Sequence, residues 1–239
     1  MTDDARKAFQ QELDDVRTEV LRLAALTEET IPRGTELLLR QDLFSAQRLI
    51  DDDDQVDALM VEIEDRCDHL LTLQQPVAGD LRRIIAALRL TAEIERSADL
   101  MVNVAKGTRR LYGVDLPPRL SGLIERMSEE AARLFRLSVD AYADDNVALA
   151  AALDDMDDRL DLLSNEFIQA VFDAHQGDDG LSLQACVQLA LIGRYFERIG
   201  DHAVNIAERV RYLVTGWRRE QDGADRWRSL EGAVPSDEH

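Results

Sequence analysis

Two segments of the chain, residues 95–105 and 197–207, repeat one arrangement of acidic residues and asparagine. The residues that recur at four-residue intervals are Glu95, Asp99 and Asn103, then Glu197, Asp201 and Asn205. This spacing places the side chains on one stripe of a helix, and carboxylate and amide oxygens in a stripe could bind a hard cation. The constant offset of 102 residues between the segments indicates two copies of one structural unit.

Acidic residues also occupy positions that the hydrophobic pattern assigns to the core. Apolar residues recur around them with the alternating spacing of helices that pack against neighbours. The four acids at such positions are Asp53, Glu95, Asp157 and Glu197, and their partners four residues away are Asp57, Asp99, Asp161 and Asp201. Each repeat therefore carries four carboxylates, distributed over two predicted helices.

The positions of these acids along the chain predict that they meet. In an antiparallel pair of helices, residues equidistant from the turn lie opposite each other. The acids of the first repeat are equidistant from Pro76, and those of the second from Asp179; both positions fall in predicted turns. The facing pairs are then Asp53 with Asp99, Asp57 with Glu95, Asp157 with Asp201, and Asp161 with Glu197.

Four neighbouring carboxylates cannot all stay ionised without compensation, because like charges a few ångströms apart raise each other's pKa. Protonation, a neighbouring arginine or a bound cation could supply the compensation. Arg96 and Arg198 directly follow the glutamates and so point about 100° away from them along the helix. They are therefore expected to be imperfect counter-ions.

A multi-carboxylate metal site accounts for both the acids and the small residues beside them. Ala98, Gly193 and Gly200 are expected to leave space around the carboxylates. Oxygen ligands from the acids, with Asn103 or Asn205 nearby, would suit such a site. The alternative is that the acids line a wet groove between splayed helices.

The elements that position these acids are six predicted helices with no period-two strand pattern. They run from about 4 to 40 with a possible bend at Pro32, 42 to 74, 76 to 112, 117 to 144, 146 to 175 and 181 to 215. Asp42 is the predicted N-cap of the second helix and Gly216 the C-cap of the sixth. The fold is expected to be all-α, with antiparallel bundles in two units, 1–113 and 114–217, and a loose acidic tail, 218–239.

The composition of the chain argues against several classes of function and location. The formal charge of −20 would repel a phosphate backbone, so direct binding of nucleic acid is not expected. The acidic N-terminus does not resemble a signal peptide, and no apolar run reaches the length of a membrane span. Cys67 and Cys186 lie in helical patterns without metal-site spacing, which fits buried thiols in a reducing compartment. We therefore expect a cytoplasmic protein.

The sequence does not favour an enzyme. No histidine has the Glu-x-x-His spacing of ferritin-like di-iron bundles. His202 has Leu100 at the corresponding position of the first repeat, so we expect it to be incidental to the site. The chain also lacks a P-loop, a Rossmann glycine pattern, a nucleophile elbow and an HExxH motif.

Two stretches resemble the signatures of the PhoU family of the bacterial phosphate-specific transport system. Residues 75–82, Gln-Pro-Val-Ala-Gly-Asp-Leu-Arg, leading to residues 95–99, resemble the signature of the first half. Residues 197–207 followed by 212–216 resemble that of the second half. Ser97-Ala98 stands where the family more usually has Ile-Gly.

This resemblance implies two tandem three-helix bundles with polynuclear metal sites formed by the eight acids. The ions would be divalent or trivalent, such as iron, zinc, manganese or magnesium. It also implies a negative regulator of phosphate uptake and of the phosphate-starvation response. Such a regulator would contact the ATPase subunit of the phosphate ABC transporter and a membrane sensor histidine kinase, associate with membranes only through these partners, and form a homodimer.

Two other functions remain open on the residues alone. A carboxylate-bridged metal-binding bundle could store metal or act catalytically, although redox chemistry usually needs histidine ligands. A purely structural dimerisation module would account for the long helices but not for the repeated acids.

Overall fold

Six long helices make up the fold, as the hydrophobic periodicity predicts. The computed structural model describes residues 3–74, 76, 78–177, 180–217, 219 and 227–228, and no strand occurs among them. The helices are α1 (Asp3–Leu39), α2 (Leu43–Gln74), α3 (Gly79–Arg110), α4 (Pro118–Ala143), α5 (Val147–Gln176) and α6 (Leu183–Thr215). The all-α prediction is confirmed.

The ends of the helices follow local capping chemistry. The Asp42 carboxylate accepts hydrogen bonds from the backbone N–H groups of Phe44 and Ser45, at 3.1 and 3.0 Å, and so caps α2. Gly216 ends α6 with a φ of 78°, a left-handed conformation that glycine adopts without a steric penalty. Both caps were predicted. Helix α1 continues through Pro32 as a single helix.

The structure describes the midpoint of the first predicted turn but not that of the second. Pro76 lies between α2 and α3 outside either helix, as the register argument requires. Asp179, the midpoint of the second hairpin, lies outside the described residues. So does most of the predicted tail, from which only residues 219 and 227–228 are described.

Two sets of three helices share one hydrophobic core. Helices α1, α2 and α3 pack on one another, as do α4, α5 and α6, and α3 with α6 and α1 with α4 join the sets. Along α3, Arg89 lies over the ring of Tyr212, while Arg110 bonds Gln188 at 3.2 Å. Since the partners on α6 run backwards along the chain, the two helices are antiparallel. Both cysteines are buried free thiols, as predicted.

No helix in the described part of the chain is long and apolar enough to cross a membrane.

Candidate metal centre

The first carboxylate set consists of Asp53 and Asp57 on α2 with Glu95 and Asp99 on α3. Asp53 and Glu95 are half-buried, while Asp57 and Asp99 are exposed. Burial of Asp53, together with the negative charges of Asp57 and Asp99, raises the pKa of Asp53 to about 6, and Lys106 opposes the rise. Burial and the neighbouring aspartates also raise the pKa of Glu95. The predicted register thus brings the four acids within electrostatic reach of one another.

The second carboxylate set consists of Asp157 and Asp161 on α5 with Glu197 and Asp201 on α6. Burial of Asp157, followed by the charges of Asp161, Asp201 and Glu197, raises the pKa of Asp157 to about 7. The pKa of Asp161 is raised by partial burial, by Glu197 and by Asp201. The same interactions recur in both repeats, with the more strongly perturbed aspartate on the first helix of each hairpin.

Asp157 reaches its position because residue 200 is glycine. A Cβ atom at Gly200 would lie 2.3 Å from Oδ1 of Asp157 and 2.7 Å from Cδ2 of Leu160, so a side chain there would displace one of them. Oδ1 of Asp157 is buried and has no hydrogen-bond partner in the described structure. An unpaired buried carboxylate oxygen is costly, and a proton or a cation would satisfy it.

The predicted role of Gly193 in leaving space for the acids is wrong. A Cβ atom at Gly193 would lie 2.7 Å from the ring of Phe167. Phe167 is fully buried. The missing side chain therefore accommodates an aromatic ring in the core, whereas the missing side chain of Gly200 makes room for a carboxylate.

Arg194 partly compensates the second carboxylate set, and the sequence analysis missed it. Its guanidinium bonds Glu197 and lies 3.6 Å from Asp201, while the hydroxyl of Ser164 donates to Glu197 at 2.9 Å. Arg194 precedes Glu197 by three residues, a spacing that places both on one helix face and could have revealed the pair. The first repeat has Ala92 at the corresponding position and so has no such arginine.

A buried glutamate outside both carboxylate sets joins the two repeats. Oε2 of Glu93 on α3 lies 2.7 Å from Nδ1 of His202 on α6 and accepts a bond from the amide of Asn205 at 3.1 Å. Burial alone would raise the pKa of Glu93, but the bonds from His202 and Asn205 hold it below its usual value. Arg96 lies 3.7 Å from the same carboxylate, which confirms that it points away from the first carboxylate set.

His202 bonds Glu93 rather than an acid of either carboxylate set, so it has a structural role that was not predicted, while its being incidental to the metal site stays a prediction. The imidazole is buried and bonds across the interface between repeats. The sequence signal for the Glu93–His202 pair is that the two repeats differ at these positions. Tyr195 is equivalent to Glu93, and Leu100 is equivalent to His202. A ligand role for Asn205 would require its bond to Glu93 to break. Asn103 is half-buried, and its ligand role stays a prediction.

The side chains of the two carboxylate sets are of the right chemical type to bind a metal ion, but they are not arranged around one. Carboxylate oxygens suit hard cations. Burial, followed by the charges of neighbouring acids, raises the pKa values of Asp53 and Asp157, and a cation would relieve the repulsion between these acids. As the side chains stand, no three Asp, Glu, His or Cys residues of the described ranges converge closely enough to hold an ion. Binding would thus require carboxylates to rotate inward and Arg194 to release the second set.

The fold and these sites define an all-helical tandem-repeat protein with a carboxylate set in each half. The chain belongs to the PhoU family, whose model, the PhoU domain, matches twice, over residues 20–108 and 124–210. The resemblance drawn from the signatures is confirmed.

Relatives and solved structures of this family match over most of the chain. It is 31% identical over 216 residues to the phosphate-specific transport system accessory protein PhoU homolog of Caulobacter vibrioides, covering 90% of this chain and 94% of that protein. It is 32% identical over 212 residues to PhoU homolog 1 of Mycobacterium tuberculosis, covering 88% and 95%. The crystal structure of PhoU from Pseudomonas aeruginosa matches with a TM-score of 0.81 at 29% identity, over 87% of this chain and 100% of that one. PhoU from Streptococcus pneumoniae matches with a TM-score of 0.80 at 25% identity, over 87% and 98%.

Proposed function

We propose that the protein is a cytoplasmic negative regulator of phosphate uptake and of the phosphate-starvation response. The observation that carries this proposal is the match of both PhoU domains, over most of the chain, to relatives named as accessory proteins of phosphate-specific transport. The relatives are named as accessory proteins rather than enzymes, which supports a role in binding and regulation.

The regulator acts as an adaptor between the ATPase subunit of the phosphate ABC transporter and a sensor histidine kinase. Six helices of 26 to 37 residues offer long exposed faces, and partner helices or grooves can dock along such faces. The acidic surface, with a formal charge of −20, would favour basic patches on a partner and accelerate the encounter with it.

The two carboxylate sets bind divalent or trivalent metal ions, such as iron, zinc, manganese or magnesium. The first set would hold its ion between α2 and α3, and the second between α5 and α6. A bound ion would supply positive charge that neutralises the four acids and ties the two helices together. The unpaired Oδ1 of Asp157 and the space at Gly200 support this assignment for the second set.

The regulatory role is tested by deleting the gene and measuring phosphate-starvation transcripts in phosphate-replete cells. We expect inappropriate induction that the wild-type gene reverses. Normal repression in the deletion strain, once any second PhoU gene has also been removed, would contradict the proposal.

The adaptor role is tested by binding of the tagged protein to membranes rather than by deletion. The tagged protein is incubated with membranes that contain the phosphate transporter, with membranes that contain the sensor kinase, and with membranes that lack both. Retention on the first two and not on the third is expected. Equal retention on all three would show that the contact is not specific.

The metal assignment is tested by measuring metal content in the Glu197→Ala/Asp201→Ala double variant. We expect it to lose the ion of the second set and keep that of the first, so bound metal falls by about half. An Arg198→Ala variant serves as the control, because Arg198 is exposed and cannot be a metal ligand of the carboxylate set. Unchanged metal content in the double variant would overturn the assignment of the second set.

A further inference from the structure

A small cavity lined by arginines lies at the end of the bundle where α3 begins and α6 ends. It measures about 250 Å³ and is lined by Arg17 of α1, Arg82 and Arg83 of α3, Asp145 and residues of α6. This volume is below the roughly 300–1,000 Å³ of pockets for drug-sized ligands. The cavity is thus suited to a small ligand, and three arginines face one aspartate in its lining.

The three guanidinium groups differ in how far their hydrogen bonds are already satisfied. Arg17 donates to the carbonyl oxygens of Tyr142 and Ala143, at 3.0 and 2.9 Å, and pairs with Asp145 at 3.3 Å. Those carbonyls end α4, so the role of Arg17 is to cap that helix. Arg17 and Asp145 therefore largely neutralise each other within the cavity wall.

Arg82 and Arg83 carry the charge that remains. The side chain of Arg82 makes no hydrogen bond or ion pair with any described residue, and its Nε is buried without an acceptor. Arg83 has one long bond, 3.4 Å to the side-chain oxygen of Gln10. A buried donor without an acceptor destabilises the folded state, so an anion in the cavity would gain a strong, charge-assisted partner.

The backbone adds to this positive charge. Helix α3 begins at Gly79, which lines the cavity, and the residue before it is Ala78, which provides no side-chain cap. The first N–H groups of a helix carry a partial positive charge and can bind anions. Asp80 in the same turn pairs with Arg6 at 3.2 Å, so its negative charge is compensated.

We propose that this cavity binds a small phosphate-type oxyanion, either inorganic phosphate or the phosphate group of a small molecule. Arg82 is the principal ligand and Arg83 the second, because a planar guanidinium matches the oxygens of such an anion. The 102-residue offset places Gln184 and Ala185 at the equivalent positions of the second repeat. This arginine pair is therefore not repeated in the second half, in contrast to the carboxylate sets.

The test is a calorimetric titration of the full-length, chelator-treated protein at low ionic strength. The probes are inorganic phosphate, glycerol phosphate as a monoester, and acetate as a monovalent carboxylate. We expect one phosphate-type anion per chain and weaker binding of acetate. Binding of both phosphate probes, or of either alone, supports the site and identifies the source of the anion.

Substitutions of the cavity arginines test whether the anion binds in this cavity. Arg82→Gln is expected to weaken binding about ten-fold or more, because a charge-assisted bond is lost. Arg83→Gln provides a second variant at an exposed position of the same cavity. The control Arg22→Gln removes the same charge from an exposed site on α1 and should change the affinity by less than about two-fold.

Three outcomes would overturn the proposal. One is the absence of phosphate binding by the wild-type protein at millimolar concentration. Another is equal weakening by Arg22→Gln and the two cavity variants, which would indicate general screening. The third is binding of two anions per chain in the chelator-treated protein. Because the titration uses isolated protein, its result is separate from that of the gene deletion.

Discussion

Replacing Gly200 by alanine would place a Cβ atom 2.3 Å from Oδ1 of Asp157 and 2.7 Å from Cδ2 of Leu160. Both distances are well below the roughly 3.5–4.0 Å of favourable carbon contacts. Leu160 is fully buried and packed in the core, whereas Asp157 is only half-buried. We therefore expect the Asp157 carboxylate to turn away and the second carboxylate set to lose one of its half-buried members.

Two opposing effects determine how much Gly200→Ala changes the free energy of unfolding. Alanine is more favourable than glycine inside a helix by about 0.8–1.0 kcal/mol. Forcing a methyl group into an occupied site costs about 1–3 kcal/mol. The net effect is expected to lie between about zero and 2 kcal/mol of destabilisation. At Gly122 in α4 no atom lies within 4 Å of the added Cβ, so Gly122→Ala should stabilise by about 0.8–1.0 kcal/mol.

The assay is urea unfolding of both alanine variants and the wild-type protein, after treatment with a chelator. The unfolding free energies of Gly122→Ala and Gly200→Ala should differ by about 1–3 kcal/mol, with Gly122→Ala the more stable. Metal content, measured in parallel on samples that have not been treated with a chelator, should fall only in Gly200→Ala. Equal stability changes in the two variants would refute the close contact between residue 200 and Asp157.

Three further predictions follow from the electrostatics. Glu93→Ala should lower the free energy of unfolding by about 3 kcal/mol, because it leaves Nδ1 of His202 and the amide of Asn205 without their partner; Glu95→Ala, on the same helix, should be neutral or stabilising in urea unfolding. In metal-free protein, the folded state keeps protons on Asp157 up to a pKa of about 7, against 3.8 ordinarily, so stability should fall as pH rises through this range. Asp157→Asn should flatten that dependence; an unchanged slope would exclude Asp157 as its source. Since a cation must displace these protons, affinity for Mn²⁺ should increase from about pH 6 to 8 with proton release, detectable by calorimetry in buffers of different ionisation enthalpy.

The carboxylate sets could be predicted because helices have a constant rise per residue. Once Pro76 is placed in a turn, the distance from it decides which residues of α2 and α3 face each other. Asp53 and Glu95 are indeed half-buried and perturbed by the opposite helix. Capping residues such as Asp42 and Gly216 were predictable for a similar reason, because their chemistry acts over a few residues.

The contacts between repeats could not be predicted in this way. Glu93 and His202 are 109 residues apart. Their contact depends on how α3 packs against α6, and the hydrophobic periodicity of a single helix does not specify that packing. The role of Gly193 was missed for the same reason, since it depends on the ring of Phe167 on a neighbouring helix. The pairing of Arg194 with Glu197 was not predicted although their spacing is local, because it has no counterpart in the first repeat, where Ala92 stands at the equivalent position.

The bond between Glu93 and His202 also bears on the evolutionary history of the chain. Because α3 and α6 are antiparallel and related by the 102-residue offset, two identical halves would have placed the same residues in mirrored contacts. Two copies of the first half would set Glu93 against Leu100, and two copies of the second would set His202 against Tyr195. The first arrangement would leave Glu93 without a histidine partner, with the amide of Asn103 at the position equivalent to Asn205. The bond between Glu93 and His202 therefore requires one copy of each half in the same bundle, so the two repeats are no longer interchangeable.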